Sequence, residues 1–146
     1  MGSQLDKDWS DIEVFIKQRS DNLPRLIQTC RSYMPREQTS LKLLTDARSA
    51  QQKARSMQEK TEASAKTTQA LETLFYDAGR ADGLKSNNTY IQLQNQLLEI
   101  GERIAERRDT FNEDATRFNA RLARFPGSLF ARKGKLKPRA PWMDSR

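Results

Sequence analysis

The sequence predicts an all-α protein, an elongated antiparallel four-helix bundle, and three observations support this. Apolar residues recur at spacings of three and four through three long segments, which is typical of helices packed nearly antiparallel. Pro35 ends the first segment, and a loop from Gly79 to Asn88 separates the second from the third. Hydrophobic residues make up 36% of the chain, which suits long helices because each buries only one stripe. The 146 residues correspond to one domain.

The first segment carries its apolar residues in helical register, with the charged Arg19 in one of the slots. Ser10 to Glu13 has the sequence of a capping box, which favours a helix start at Ser10. The alternative is a helix that runs in from upstream. The pattern crosses Pro24 without a change of phase, so we prefer a kinked helix to a stop and restart there. Pro35 closes the segment. The apolar positions are Trp9, Ile12, Ile16, Leu23, Leu26, Cys30 and Tyr33.

The second segment extends from Pro35 to Ala78, and its middle is weak. Between 61 and 68 the expected apolar slots hold Thr61, Ser64 and Thr68, which are small and hydroxylic. A break there would divide the segment and give four helices in all. The apolar positions of this segment are Leu43, Ala47, Ala50, Ala54, Met57, Leu71, Phe75 and Ala78.

A loop and a long final helix follow. Glycine, serine and asparagine between Gly79 and Asn88 indicate the loop. The helix is predicted from Thr89 to Phe125, about 55 Å at 1.5 Å per residue, with a slip in its pattern at Arg107 and Arg108. Its apolar positions are Tyr90, Leu93, Leu97, Ile100, Ile104, Phe111, Ala115, Phe118, Leu122 and Phe125.

The chain divides into three parts, and its charge is concentrated in the last. We assign residues 1–7 to an expression-vector remnant and linker, 8–127 to the bundle, and 128–146 to an irregular basic tail. The net charge is +7, yet from Pro126 onward there are six Lys and Arg against one Asp. The body is therefore nearly neutral, and its charge alone does not predict nucleic-acid binding.

The residues offer little for catalysis, so we predict no enzyme and no catalytic, cofactor or metal site. The chain has no histidine, which triads and most zinc sites require. Cys30 is read as a small buried hydrophobe. A metal-dependent enzyme would have to use Glu99, Glu102 and Glu106. We favour a solvated face of i to i+4 ion pairs, formed by the run Glu99, Glu102, Glu106, Asp109 and Glu113.

Two features point instead to interactions. Arg19 either extends its head to water or forms a buried pair with a carboxylate such as Glu102, which would fix the register of two helices. The tail mixes cations with Phe130, Leu136 and Trp142. We rate contact of the tail with an anionic membrane surface and a tail that is simply solvated as equal alternatives. Contact with nucleic-acid phosphates is the third alternative. The tail cations are Arg132, Lys133, Lys135, Lys137 and Arg139.

Four short motifs occur in order along nearly the whole chain. They are QRSDNLPRLIQT at 18–29, LKSN with YIQLQ between 84 and 94, ERIA with RR and FN between 102 and 112, and FN with FPGSL between 118 and 129. Together they resemble the signatures of the LemA family. The chain departs from them at 81–83, where Ala-Asp-Gly replaces an aromatic-proline pair.

The resemblance implies a bacterial four-helix bundle with no established enzymatic activity. It also implies one N-terminal transmembrane anchor ahead of Trp9, with the bundle outside that span. Relatives include proteins of magnetosome membranes. We therefore expect a membrane-tethered interaction or organising module with an unidentified envelope protein as partner. The rival is a soluble nucleic-acid-associated protein that binds through the tail. In an antiparallel four-helix bundle, Trp9 and Phe125 lie at the same end, which would place the tail near the membrane.

Overall fold

Four α-helices account for most of the computed structural model, which describes residues 2–35 and 38–124. They are α1 (Gly2–Arg31), α2 (Thr39–Lys53), α3 (Met57–Ala78) and α4 (Asn88–Ala123). A 3-10 turn, Leu84–Ser86, precedes α4. The prediction of an all-α, four-helix protein is confirmed. None of the described helices has an apolar stretch long enough to cross a membrane.

Helix α1 is longer than the capping box at Ser10 predicts. It begins at Gly2 and continues through Ser10 and Pro24 to Arg31. The predicted start at Ser10 is wrong, and the alternative of a helix running in from upstream is confirmed. Leu5, one turn before the box, is fully buried, so burial there stabilises the helix ahead of Ser10. Residues 2–7, assigned above to a remnant and linker, are helical.

The predicted break between 61 and 68 is also wrong, because that stretch lies inside α3. The chain breaks at residues 54–56, where Ser56 caps α3. The Glu59 amide donates to Ser56 Oγ at 3.0 Å, and Glu59 Oε1 accepts from the Ser56 amide at 3.1 Å. This reciprocal capping box satisfies donors that a helix start leaves unpaired. Ser64 and Thr67 are buried. Their small size reflects close packing, not a weak helix.

The loop before α4 is confirmed, and two residues fix its shape. Gly83 has φ +84°, which an L side chain rarely adopts, and a Cβ there would lie 3.3 Å from the Tyr33 ring. Asn87 caps α4 by accepting from the Tyr90 amide at 2.9 Å. Its Nδ2 donates to the Tyr33 hydroxyl at 3.0 Å. The predicted stop at 125–127 lies outside the described residues.

The helices form two antiparallel pairs, α1 with α4 and α2 with α3. The second pair packs mainly on the C-terminal half of α1 and the N-terminal half of α4, while the start of α3 reaches the other half through Met57, so the core has two parts. We call one the four-helix region, built from all four helices; its fully buried side chains include Leu23, Leu26, Cys30, Leu44, Leu74 and Leu84. We call the other the two-helix region, built from α1 and α4; its buried residues are Leu5, Ile12, Ile16, Ile104, Phe111, Ala115 and Phe118.

Two of the described residues in the predicted apolar pattern are exposed. Tyr33 and Leu43 are exposed, whereas Met34 and Leu44 are buried. Helix α1 ends at Arg31, so Tyr33 no longer follows the helical register. Helix α2 begins at Thr39 and turns its Leu41, Leu44 and Ala47 stripe toward the core, which leaves Leu43 outside.

Candidate functional site

A cleft of about 360 Å³ lies between α3 and α4, close to the boundary of the two regions. Residues from both regions line it, together with Arg19 of α1. Its apolar lining consists of Leu71, Phe75, Leu97, Leu98 and Ile104. Its polar and small lining consists of Arg19, Ser64, Thr68, Glu72, Gly101, Glu102, Ala105 and Arg108. The cleft thus combines an apolar patch with four charged side chains, and ligand and peptide sites likewise pair apolar surface with polar groups that fix orientation.

Arg19 is held in this cleft by α3. Its side chain is 3% exposed, so extension of its head into bulk water does not describe it. Nη2 donates to the Ser64 carbonyl and to Ser64 Oγ, both at 2.9 Å. Nη1 donates to Thr68 Oγ1 at 3.0 Å. These bonds offset part of the cost of removing the guanidinium from water.

The two irregularities of the sequence pattern therefore complement each other. Arg19 replaces an apolar residue in α1, and Ser64 and Thr68 replace apolar residues in α3. Large side chains at 64 and 68 would fill the space that the guanidinium occupies. The sequence showed both departures but not that they face each other.

Glu102, the predicted partner of Arg19, lies at the same cleft. It is exposed, on the α4 side, whereas the hydrogen bonds described above go to α3. The structure thus brings the two residues to one site, and their ion pair stays a prediction. The pattern slip on α4 also falls here, since Arg108 lines the cleft and lies 3.4 Å from Asp109.

The α4 wall of the cleft is open to a partner. A Cβ added to Gly101 would have no atom within 4 Å, and Leu98 is 50% exposed. Exposed leucine beside a glycine gives an apolar surface that another helix can approach closely. The arrangement suits binding of an apolar side chain or helix.

The carboxylates on the outer face of α4 form ion pairs with arginines of the same helix. Glu99 lies 3.3 Å from Arg103, and Glu113 lies 3.8 Å from Arg117, both at i to i+4 spacing. Within residues 2–35 and 38–124, no group of three or more Asp, Glu or Cys is arranged to hold a metal ion.

The cysteine prediction is confirmed. Cys30 is fully buried in the four-helix region, and burial raises the pKa of its thiol to about 12. Burial likewise raises the pKa of nearby Tyr90 to about 12, with a contribution from Cys30. The thiol is therefore protonated and unreactive in the folded chain.

The start of α1 and the end of α4 lie at the same end of the molecule. Leu5 and Trp9 belong to the same cluster as Phe118 and Leu122. The Trp9 and Phe111 rings meet edge to face with centroids 6.3 Å apart. The last turn of α4 therefore lies beside the start of α1. The described residues do not include Phe125 or the five predicted tail cations, which are Arg132, Lys133, Lys135, Lys137 and Arg139.

Among the described residues, one buried charged residue was not predicted from the sequence. Asp8 is 6% exposed and lies between α1 and α4. Its sequence signal was available: Asp8 is three residues after Leu5 and four before Ile12, which places it in the apolar phase of α1.

Comparison with known proteins gives one family. The model of the LemA family matches residues 8–143, nearly the whole chain. Among curated proteins, none matches.

Proposed function

This chain belongs to the LemA family, and we propose that it is a non-enzymatic, membrane-tethered bundle that serves as an interaction or organising module of the bacterial envelope. Membership suggests a membrane-associated bacterial protein. The family is not known as an enzyme family.

The observation that carries the proposal is the shared end of α1 and α4. Because Leu5 and Trp9 pack with Phe118 and Leu122, an anchor ahead of α1 and the tail after α4 would leave the bundle at one end. A tether in the membrane would hold the tail cations at the lipid surface. Each cation near an anionic surface contributes on the order of 1 kcal/mol.

The α3–α4 cleft supplies the second half of the proposal. It lies at the boundary of the two-helix region, away from the end that would face the membrane. Its exposed Leu98 and its open wall at Gly101 offer an apolar surface for a protein partner. The bundle would then join a membrane contact at one end to a protein contact along its side.

Vesicle co-sedimentation tests the membrane part. The chain is mixed with phosphatidylglycerol vesicles and with phosphatidylcholine vesicles, each at low and high salt. We expect binding to the anionic vesicles that weakens with salt. Replacement of Arg132, Lys133, Lys135, Lys137 and Arg139 by Gln should abolish it. The matched control replaces five exposed body lysines, Lys7, Lys42, Lys53, Lys66 and Lys85, and should retain most of it.

The same variants test the rival function. If the chain binds duplex DNA through its tail and shows no preference for anionic vesicles, the nucleic-acid interpretation replaces this one. Equal loss of vesicle binding in both five-residue variants would show that overall charge, not the tail, is responsible.

A further inference from the structure

The two-helix region encloses a carboxylate that lacks a donor. Asp8 is 6% exposed. Its Oδ1 accepts from Gln4 Nε2 at 2.8 Å, whereas Oδ2 has no hydrogen-bond partner. An ionised carboxylate is an acceptor only, and each oxygen buried without a donor costs free energy. Asp8 in the ionised form is therefore poorly accommodated.

A second carboxyl group faces it across the helix pair. Beside burial, the interaction of Asp8 with the carboxyl group of Asp114 on α4 is one of the causes that raise the pKa of Asp8. Asp114 is partly buried and lies 3.3 Å from Arg117 Nη1. Two ionised carboxylates have no proton to donate to each other, so Oδ2 stays unsatisfied. One proton between them supplies the missing donor.

Two other carboxylates act on Asp8 through their charge, Asp114 on α4 and Asp11 on α1, and both raise its pKa. The nearby cations have other partners: Arg117 lies beside Glu113 and Asp114, and Lys60 of α3 bonds Glu13 at 2.7 Å. Burial, followed by the contact with Asp114, raises the pKa of Asp8 above its ordinary value, and the Gln4 hydrogen bond only partly opposes this.

We propose that Asp8 and Asp114 share one proton and act as an acid-operated clasp between α1 and α4. When the proton is present, one carboxyl group donates to the other and the two helices are joined. When the proton leaves, two carboxylates face each other in a buried contact, and the ends of α1 and α4 separate more readily. The proposal does not depend on the proposed function. It concerns the end of the bundle where α1 begins.

The sign of the pH dependence follows from this arrangement. A carboxyl group whose pKa is raised in the folded state stabilises that state while it is protonated, below its ordinary pKa. The contribution is lost as the pH rises through the folded pKa. Each unit of elevation corresponds to about a tenfold larger opening constant at high pH. This direction is opposite to that of a carboxylate held in a salt bridge.

Trp9 provides a local reporter for the test. The chain has two tryptophans, so a Trp142→Phe background leaves Trp9, which packs in the two-helix region, as the only one. Urea unfolding is followed by Trp9 fluorescence from the ordinary pKa of an Asp, 3.8, up to about pH 8. We expect the midpoint to fall as the pH rises. In Asp8→Asn it should depend less on pH and lie above the parent at pH 8, because an amide can donate to Asp114. Asp46→Asn, an exposed change in α2, should follow the parent.

Two results would overturn the clasp. One is a Trp9 transition whose pH profile is the same in the parent and in Asp8→Asn. The other comes from carbon-detected NMR titration of the side-chain carboxyls in the unmutated chain, which needs no variant to fold. An Asp8 resonance that titrates at or below its ordinary pKa would show that no proton is retained.

Discussion

The two regions of this bundle bury apolar side chains equally well, but they enclose them differently. In the four-helix region, aliphatic residues such as Leu23 and Leu74 are covered from all sides by four helices. In the two-helix region the buried residues come from α1 and α4, Met57 at the start of α3 packs against them, and aromatic rings supply much of the apolar contact: Trp9, Phe15, Phe111 and Phe118. A helix pair can therefore bury an apolar core if its side chains are large enough to close the flanks.

The two regions also differ in which helices must separate before their buried residues are exposed. A residue of the four-helix region is exposed only when several helices separate. The ends of α1 and α4 can separate while the four-helix region stays intact, because α2 and α3 pack mainly against each other and against the other half of α1. Local opening of this kind is expected where fewer elements hold a segment.

The largest expected effect comes from Phe111→Ala. Phe111 is fully buried and contacts the Trp9 ring, so its loss should cost roughly 3–5 kcal/mol. We expect hydrogen exchange to accelerate in residues 104–118 of α4 while amides around Leu74 and Leu93 keep their protection. A uniform loss of protection in both regions would contradict this division.

Leu74→Ala should cost slightly less, roughly 2–5 kcal/mol, but act on the whole molecule. Leu74 is fully buried in the four-helix region. An isolated helix pair is marginal without further packing, so loss of this core should lower the urea midpoint by circular dichroism and by Trp9 fluorescence together. If the Trp9 transition is unmoved, the two-helix region is independently stable.

Arg19 lies where the two regions meet, and Arg19→Leu tests whether it sets their register. Hydrogen bonds from a charged group contribute roughly 1.5–3 kcal/mol, and Arg19 donates three of them to Ser64 and Thr68. We expect a loss of about 2 kcal/mol in chemical unfolding, with altered exchange on both sides of the boundary. Arg25→Leu, an exposed change on the same helix, is the control. Unchanged shape and stability in Arg19→Leu would mean that Arg19 does not fix the register.

The smallest effect comes from the cap of α3. Ser56→Ala removes the side-chain acceptor for the Glu59 amide and should cost about 1 kcal/mol. Ser10→Ala is a matched control, because Ser10 has the same capping sequence but lies inside α1. It should be neutral or slightly stabilising, since alanine is the better helix former. Equal losses in thermal unfolding would contradict the assignment of the cap.

Much of the fold was predictable because the apolar spacing in the sequence marks the buried stripe of each long helix. The apolar pattern of α4, the loop before it and the passage through Pro24 all appear in the sequence and in the structure. The sequence alone could not tell the Ser56–Glu59 capping box, which starts a helix, from the same pattern at Ser10–Glu13, which does not. Both have a serine followed three residues later by a glutamate, and only tertiary burial of Leu5 decides that α1 passes through Ser10.

The site was harder to predict because it depends on which departures from the pattern face each other. Arg19 was visible as an irregularity, and Ser64 and Thr68 as another, but a single sequence does not pair them. Asp8 is hard to pick out because its neighbour Trp9 also satisfies the three-four spacing between Leu5 and Ile12 and gives the stronger apolar signal. Residues at 64 and 68 were read as weak helix positions, although their small size is what admits the guanidinium.

Cys30 makes the opening rate of the four-helix region measurable by thiol labelling. It is the chain's single cysteine and is fully buried in the four-helix region, so a thiol reagent can reach it only when that region opens. The rate at which a disulfide reagent labels the unmodified chain therefore counts openings of the four-helix region, without any engineered probe. Labelling should be slow even when the ends of α1 and α4 have separated.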